Sequence, residues 1–275
     1  MFTACCAVGS RRTLTPISSA PPRVNVAVFA RADAHGRLAD HWRAVRQAVE
    51  DVDDWERLLA AERHLQRLLP EAVLVGGTAA ALHARHRTSM DGDHVLTDLR
   101  ERFAEVLADL EAAAGWQTAR EQRPVPILGS LDGIPTGIRQ LRRVRPLDTE
   151  RIQGLLVPTL AETARVKAWL LATRNTVRDY LDLVVLLDCL GDDACAALAT
   201  LDQCYPQDNG QSVLAEVVDR LQRGAPQDLA GIDLKTYRGL RPPYDQWQHL
   251  LHRGCHWAQM LAASLLVAAE GGRAS

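Results

Sequence analysis

The sequence predicts an α+β fold, a small mixed-sheet unit behind a helical lead-in, followed by a C-terminal helical domain. Three observations point there. Apolar residues recur at helical spacings from Arg37 to Leu69. Short apolar runs punctuated by glycine then read as strands between residues 72 and 144. After Pro158 the helical pattern returns and continues almost to the end. Residues 1–24, rich in Ser, Thr, Pro and Ala and without periodicity, are expected to be a disordered leader. That places the α/β unit with its lead-in at 25–155 and the helical domain at 156–275.

The elements follow in order. Trp42, Val45, Val49, Val52, Trp55 and Leu59 share a helical stripe that Pro70 ends, and Asp51 to Asp54 can divide it into two helices. Ala72 to Val75 reads as a strand, Gly76-Gly77-Thr78 as a turn, and Ala79 to His83 as the start of a helix. Residues 88–96 return as a second strand. Thr97 is the predicted N-cap of an amphipathic helix through Ala114, closed by Gly115. Val125 to Leu131 and Ile134 to Val144 form a hairpin across Asp132-Gly133, a turn pair that tolerates positive φ. Thr159 with Glu162 and Thr176 with Asp179 are capping boxes, so one helix ends and another begins at Asn175-Thr176. Without that break, Lys167 and Asp182 would lie about 22 Å apart along one helix. A last apolar helix spans Trp247 to Ala269, with Trp247, Trp257 and Met260 expected in the core.

Composition narrows the function. The 275 residues are 47% hydrophobic and 24% charged with a formal net charge of -2, which excludes a broadly basic nucleic-acid coat but not a local basic groove. No run reaches the roughly 18 apolar residues of a membrane span. The six cysteines form neither a C-x-x-C pair nor a zinc pattern, so free thiols in a reducing cytoplasm are expected. Lysine occurs only at Lys167 and Lys235, so 30 of the 32 Lys and Arg residues are arginine. Under that bias a surviving lysine marks a place for a compact ammonium.

The informative stretch is Leu74 to Asp93. Glycines and a threonine between a strand and a helix let backbone N–H groups face an anion, typically a phosphate. Asp91 and Asp93, two residues apart on a strand, project from one face, and two hard oxygen donors side by side suit Mg²⁺. His94 follows them directly and reads as a hydrogen-bonded structural histidine. Arg139, Arg142, Arg143 and Arg145 form a basic run that reads equally as a docking surface for a phosphate-rich acceptor or as a solvated edge.

Gly76-Gly77-Thr78 followed by Arg87-x-Ser89-x-Asp91-x-Asp93 resembles the nucleotidyltransferases of the DNA polymerase β-like superfamily. Within it the sequence is similar to the AbiEii-type branch, the toxins of type IV toxin–antitoxin systems. Lys167, Arg174 and Arg178-Asp179-Tyr180-Leu181-Asp182 resemble that branch's helical motif. The resemblance covers about residues 70 to 190. It implies an NTP-dependent nucleotidyltransferase acting on RNA, tRNA foremost, in the cytoplasm, with a cognate antitoxin as partner. The alternatives are transfer to a small molecule or protein, and a non-catalytic binding module that kept the fold. By the same resemblance Asp91, Asp93, Lys167 and Asp182 are the catalytic set, with Asp91 and Asp93 binding Mg²⁺ in a two-metal arrangement. Gly76, Gly77 and Thr78, with Ser89 and Arg178, would hold the nucleotide. Two departures stand out. Gly92 occupies a place that is usually aliphatic, and a third strand carboxylate has only Asp132 as a candidate.

Overall fold

The computed structural model describes residues 37–143 and 145–271; the expected leader, Cys5 and Cys6 lie outside the described residues. Helix α1 runs unbroken from Arg37 to Leu68, through the acidic cluster expected to divide it. The cluster holds three aspartates, and aspartate lowers helix propensity only modestly and is not a helix breaker. Strand β1 (Val73–Val75) leads directly into α2 (Gly76–Ala84), so Gly76-Gly77-Thr78 is the first turn of the helix and not a separate loop. Gly76 makes the junction at φ +73, a value that glycine adopts without strain.

Strand β2 (Gly92–Leu96) is shorter than the expected 88–96; it starts after Asp91. Helix α3 (Leu99–Ala112) is preceded by Asp98 at its N-cap, without a side-chain cap bond, so Thr97 does not cap it. Gly115 turns the chain at φ +87 into β3 (Trp116–Glu121), a strand with no expectation behind it. All of β3 but Trp116 is exposed, so its sequence carries little apolar alternation to read. The hairpin of β4 (Pro126–Leu131) and β5 (Ile134–Gln140) turns at Asp132 and Gly133, both at positive φ, as Asp-Gly allows. A second, short hairpin joins β6 (Thr149–Ile152) to β7 (Leu155–Pro158), also unanticipated.

The five-stranded sheet has the order β1-β2-β5-β4-β3 and is mixed, with β2 and β5 parallel and the other pairs antiparallel. Buried Leu65, Leu99, Phe103, Ile127 and Ile138 fill the layer that α1 and α3 make with the sheet. Both expected N-caps form, Thr159 accepting from the Glu162 amide at the head of α4 (Leu160–Arg174) and Thr176 from the Asp179 amide at the head of α5 (Val177–Leu190), while neither acidic side chain returns a bond to the cap amide. Asn175 between them is left-handed, at φ 48, and turns α5 back on α4. Short helices α6 (Ala194–Leu198) and α7 (Leu201–Cys204) precede α8 (Val213–Arg223) and α9 (Trp247–Gly271). They share a core with α4, α5 and Ala80 of α2. Trp257 lies in that core, Trp247 packs against it beside Tyr180, and Met260 is 46% exposed, on the outer side of α9. The architecture is thus the expected α+β one, a mixed sheet followed by a helical region, and Arg46–Ser275 form one compact unit. Among the described residues no helix is long and apolar enough to cross a membrane. Cys189, Cys195, Cys204 and Cys255 are free thiols.

Candidate functional site

The site grows from the junction of β1 and α2. Val75 pairs with Asp93 across the antiparallel β1/β2 ladder, which sets Asp93 beside the first turn of α2. A Cβ on Gly76 would stand 3.5 Å from Asp93 Oδ2, and one on Gly137, its partner on β5, would stand 3.5 Å from Oδ1. The carboxylate therefore lies between two neighbours without side chains, open toward Gly76, while Leu128 Cδ2 fills the space that a Gly137 side chain would take. Asp91 is positioned by its neighbours. Thr78 Oγ1 donates to its backbone carbonyl at 2.6 Å and Ser89 Oγ to its carboxylate at 3.2 Å. Thr78 and Ser89 are themselves buried, so their hydroxyls serve the Asp91 loop in this structure.

Gly77 has a different neighbour. A Cβ there would meet Arg87 Nη2 at 2.6 Å, so glycine makes room for a guanidinium that lies across the first turn of α2. Arg87 is clamped by two parallel bonds to Asp182, Nε to Oδ1 at 2.8 Å and Nη2 to Oδ2 at 2.9 Å. His86 Nε2 reaches the same Oδ1 at 2.7 Å, and Lys167 Nζ reaches Oδ2 at 2.8 Å. Burial by itself would push the Asp182 carboxyl up. The charges of Arg87 and Lys167, with the bonds from His86 and Arg87, outweigh it and hold the group well below the usual carboxylate range.

The fold at Asn175 does bring Lys167 and Asp182 together, but at a sealed place. Lys167 is 2% exposed, with Nζ also 3.2 Å from Asp179 Oδ1. Asp179 in turn accepts from Arg174 and from Thr176 Oγ1. Arg178, one residue earlier, is exposed and lies over the Tyr237 ring at 6.0 Å. The structure thus gathers Gly76, Gly77, Thr78, Ser89, Asp91 and Asp93 around one junction. It ties Lys167 and Asp182 to that junction through Arg87.

Gly92 has a physical reason. A Cβ at this position would fall 2.0 Å from Glu62 Oε1, because the Glu62 carboxylate of α1 fills the space behind β2. His94 Nδ1 stands 3.3 Å from Glu62 Oε2, and neither buried group makes a well-formed hydrogen bond, contrary to the bonded histidine expected. Burial, with the charges of Asp93 and Asp91 added, raises Glu62 to about 8, and burial lowers His94 to about 3. Both are uncharged at neutral pH. Sequence reasoning missed Glu62; the signal was the unexplained glycine between the aspartates.

Asp132 does not supply a third carboxylate. It accepts from His64 at 2.8 Å in the β4–β5 turn, five residues before Gly137 and so about 16 Å along the strand from the Asp93 level. On the strand beside Asp93 stands Arg139, its Nε 3.1 Å from Asp93 Oδ1. The rest of the basic run diverges. The Arg143 side chain is 2% exposed and bonds Glu162 at 2.5 Å, which makes it part of the framework, while Arg142 and Arg145 are exposed.

Two carboxylates with hard oxygens, flanked by glycines, fit one Mg²⁺, whose remaining positions substrate oxygens and water can fill. Among the described residues no group of three or more His, Cys, Asp or Glu side chains is placed to hold a metal. Fold and site together define a mixed-sheet α+β protein whose acidic pair sits at the N-terminus of a helix.

No protein-family model matches the chain. In sequence it is similar to the heme uptake protein MmpL11 of Mycobacterium tuberculosis, 33% identical over 147 residues, which are 50% of this chain and 14% of that protein. The chain therefore matches only a small part of the curated relative's length. In structure it is similar to JHP933 from Helicobacter pylori, with a TM-score of 0.52 and 13% identity over 82% of this chain and 97% of that one. At that identity what the two share is the fold. An antigenic nucleotidyltransferase-like protein from Paracoccidioides brasiliensis is a more distant likeness, with a TM-score of 0.35 and 16% identity over 54% of this chain and 88% of that one.

Proposed function

We propose that this protein is a Mg²⁺-dependent nucleotidyltransferase that moves a nucleotidyl group from an NTP to RNA, tRNA foremost. In this reading it is a toxin-like member of a type IV toxin–antitoxin system, working in the cytoplasm against a cognate antitoxin. The observation that carries the transferase reading is the placement of Asp93 between Gly76 and Gly137, beside the first turn of α2. The sequence resemblance supports the finer assignments.

The N–H groups of that first turn and the positive end of α2 receive the triphosphate. Thr78 and Ser89 fix Asp91, and Arg87, locked by Asp182, adds positive charge beside Gly77. Asp91 and Asp93 hold the metal, which supplies Lewis-acid stabilisation of charge on the phosphoryl oxygens. An acceptor hydroxyl oxygen then bonds to the α-phosphorus and the bond to the β-phosphate oxygen breaks. Pyrophosphate leaves, and the hydroxyl proton passes to water. Catalysis of this kind is mainly positioning and charge stabilisation, which a rigid junction of strand and helix provides.

The test is incubation of the purified protein with each labelled NTP, Mg²⁺ and total RNA. Label in RNA is expected for wild type and not for Asp93→Ala. Label that enters a small molecule or a protein instead selects another acceptor. The second reading, a nucleotide-binding module without transfer, is favoured by the Arg139–Asp93 ion pair and by the sealed Lys167. Binding of Mg²⁺–NTP without any transfer would establish it.

A further inference from the structure

We propose that the Asp91–Asp93 pair holds a single divalent cation and that Arg139 takes the place of a second. The inference rests on the nucleotidyltransferase reading above and makes its electrostatics specific. Two divalent ions about 4 Å apart need a carboxylate to bridge them and further oxygen donors on each side. Here β2 and β5 are parallel neighbours in register, so the residues of β5 on Asp93's side of the sheet, at its level and one step beyond, are Gly137 and Arg139. The first has no side chain and the second is a cation. Arg139 already donates Nε to Asp93 Oδ1 at 3.1 Å, with its side chain 47% exposed and that of Asp93 38% exposed, so the pair faces the solvent from which a ligand arrives. Glu62 stands where a Gly92 side chain would go, on the other side of β2 from Asp93, and cannot serve this face.

A guanidinium is suited to this place. Its fork presents several donors, so Nε can stay on Asp93 while the terminal nitrogens reach phosphate oxygens. It neutralises triphosphate charge at the point where a second metal would, and it occupies the Asp93 oxygen which that metal would need.

The experiment counts Mn²⁺ bound to the whole chain, by the electron-paramagnetic signal of the free ion, in the presence of an α,β-methylene NTP analogue. Melting curves accompany each variant. Wild type is expected to bind one Mn²⁺ per chain, and Arg139→Asp, which supplies a third carboxylate, two. Arg139→Gln should keep one Mn²⁺ and weaken the analogue roughly tenfold, the loss of a charge-assisted contact. Two Mn²⁺ in wild type, or an unchanged analogue affinity in Arg139→Gln, would overturn the inference and leave the transferase reading standing. No Mn²⁺ in folded wild type would remove the metal reading itself.

Discussion

Asp182 accepts from His86 and Arg87 and forms an ion pair with Lys167, and all four side chains are buried. Removing its charge would leave the buried Arg87 and Lys167 without their shared carboxylate. Asp182→Asn is therefore expected to cost about 3–5 kcal/mol in urea unfolding. Its folded-state pKa lies below the unfolded value of 3.8, so its contribution is present above that value and lost as pH falls below it. Lys167→Arg should also destabilise, by about 1–3 kcal/mol, because a wider head must enter a filled space between two aspartates. Lys235→Arg, on an exposed residue, should change nothing measurable. The pair behind β2 gives a different pH profile. Folded Glu62 keeps its proton from 4.5 to about 8, so its contribution falls as pH rises through that window. Folded His94 refuses a proton between 6.5 and about 3, so its contribution falls as pH drops through that one. The two slopes cancel between 4.5 and 6.5, where stability should be flat. Glu62→Gln should remove the decline on the alkaline side; an unchanged decline would mean that Glu62 is not its source.

At the scale of elements, β2 and α1 fit one another through an exchange of side chains. A glycine on the strand admits a glutamate from the helix. Gly92→Val should lose about 1–3 kcal/mol by overpacking against Glu62. Glu62→Ala in the same chain should recover much of that loss, so a double-mutant cycle will show strong coupling between residues 62 and 92. Independent, additive losses would show that the valine is excluded by something else. The turn between α4 and α5 is set locally. Thr176 Oγ1 donates to Asp179 Oδ2 at 2.8 Å and accepts from the Asp179 amide at 3.2 Å, while Asn175 takes the left-handed conformation. Those contacts were legible in the sequence, because a capping box needs only four consecutive residues. The start of α3 was not legible. Thr97 and Asp98 are both acceptable cap residues, and the one that ended at the N-cap makes no cap bond to mark it.

Across the whole molecule, the sheet and the helical region are joined by buried charge as well as by apolar packing. Asp182 of α5 holds the loop after α2, Glu162 of α4 holds Arg143 beyond β5, and Gln66 of α1 bonds both edges of Leu156 in β7. The segment after α8 adds backbone bonds, Arg238 accepting from Thr88 and Arg241 donating to His86. Because so many ties cross between them, calorimetry on the intact chain should show one cooperative transition for Arg46–Ser275, and two separated transitions would contradict this account. The sequence by itself determined what depends on neighbours a few residues apart: the β1–α2 junction, the two capping boxes, the Asp-Gly hairpin turn and the spacing of Asp91 and Asp93. Helical period, turn conformation and cap chemistry are local properties, and they survive folding unchanged. The tertiary structure decided what depends on register and burial. It set Arg139 against Asp93, Glu62 against Gly92 and Arg87 against Gly77. It also set Lys167 against two buried aspartates, because a side chain's partner depends on which strands pair and which faces close, and no stretch of one element specifies either.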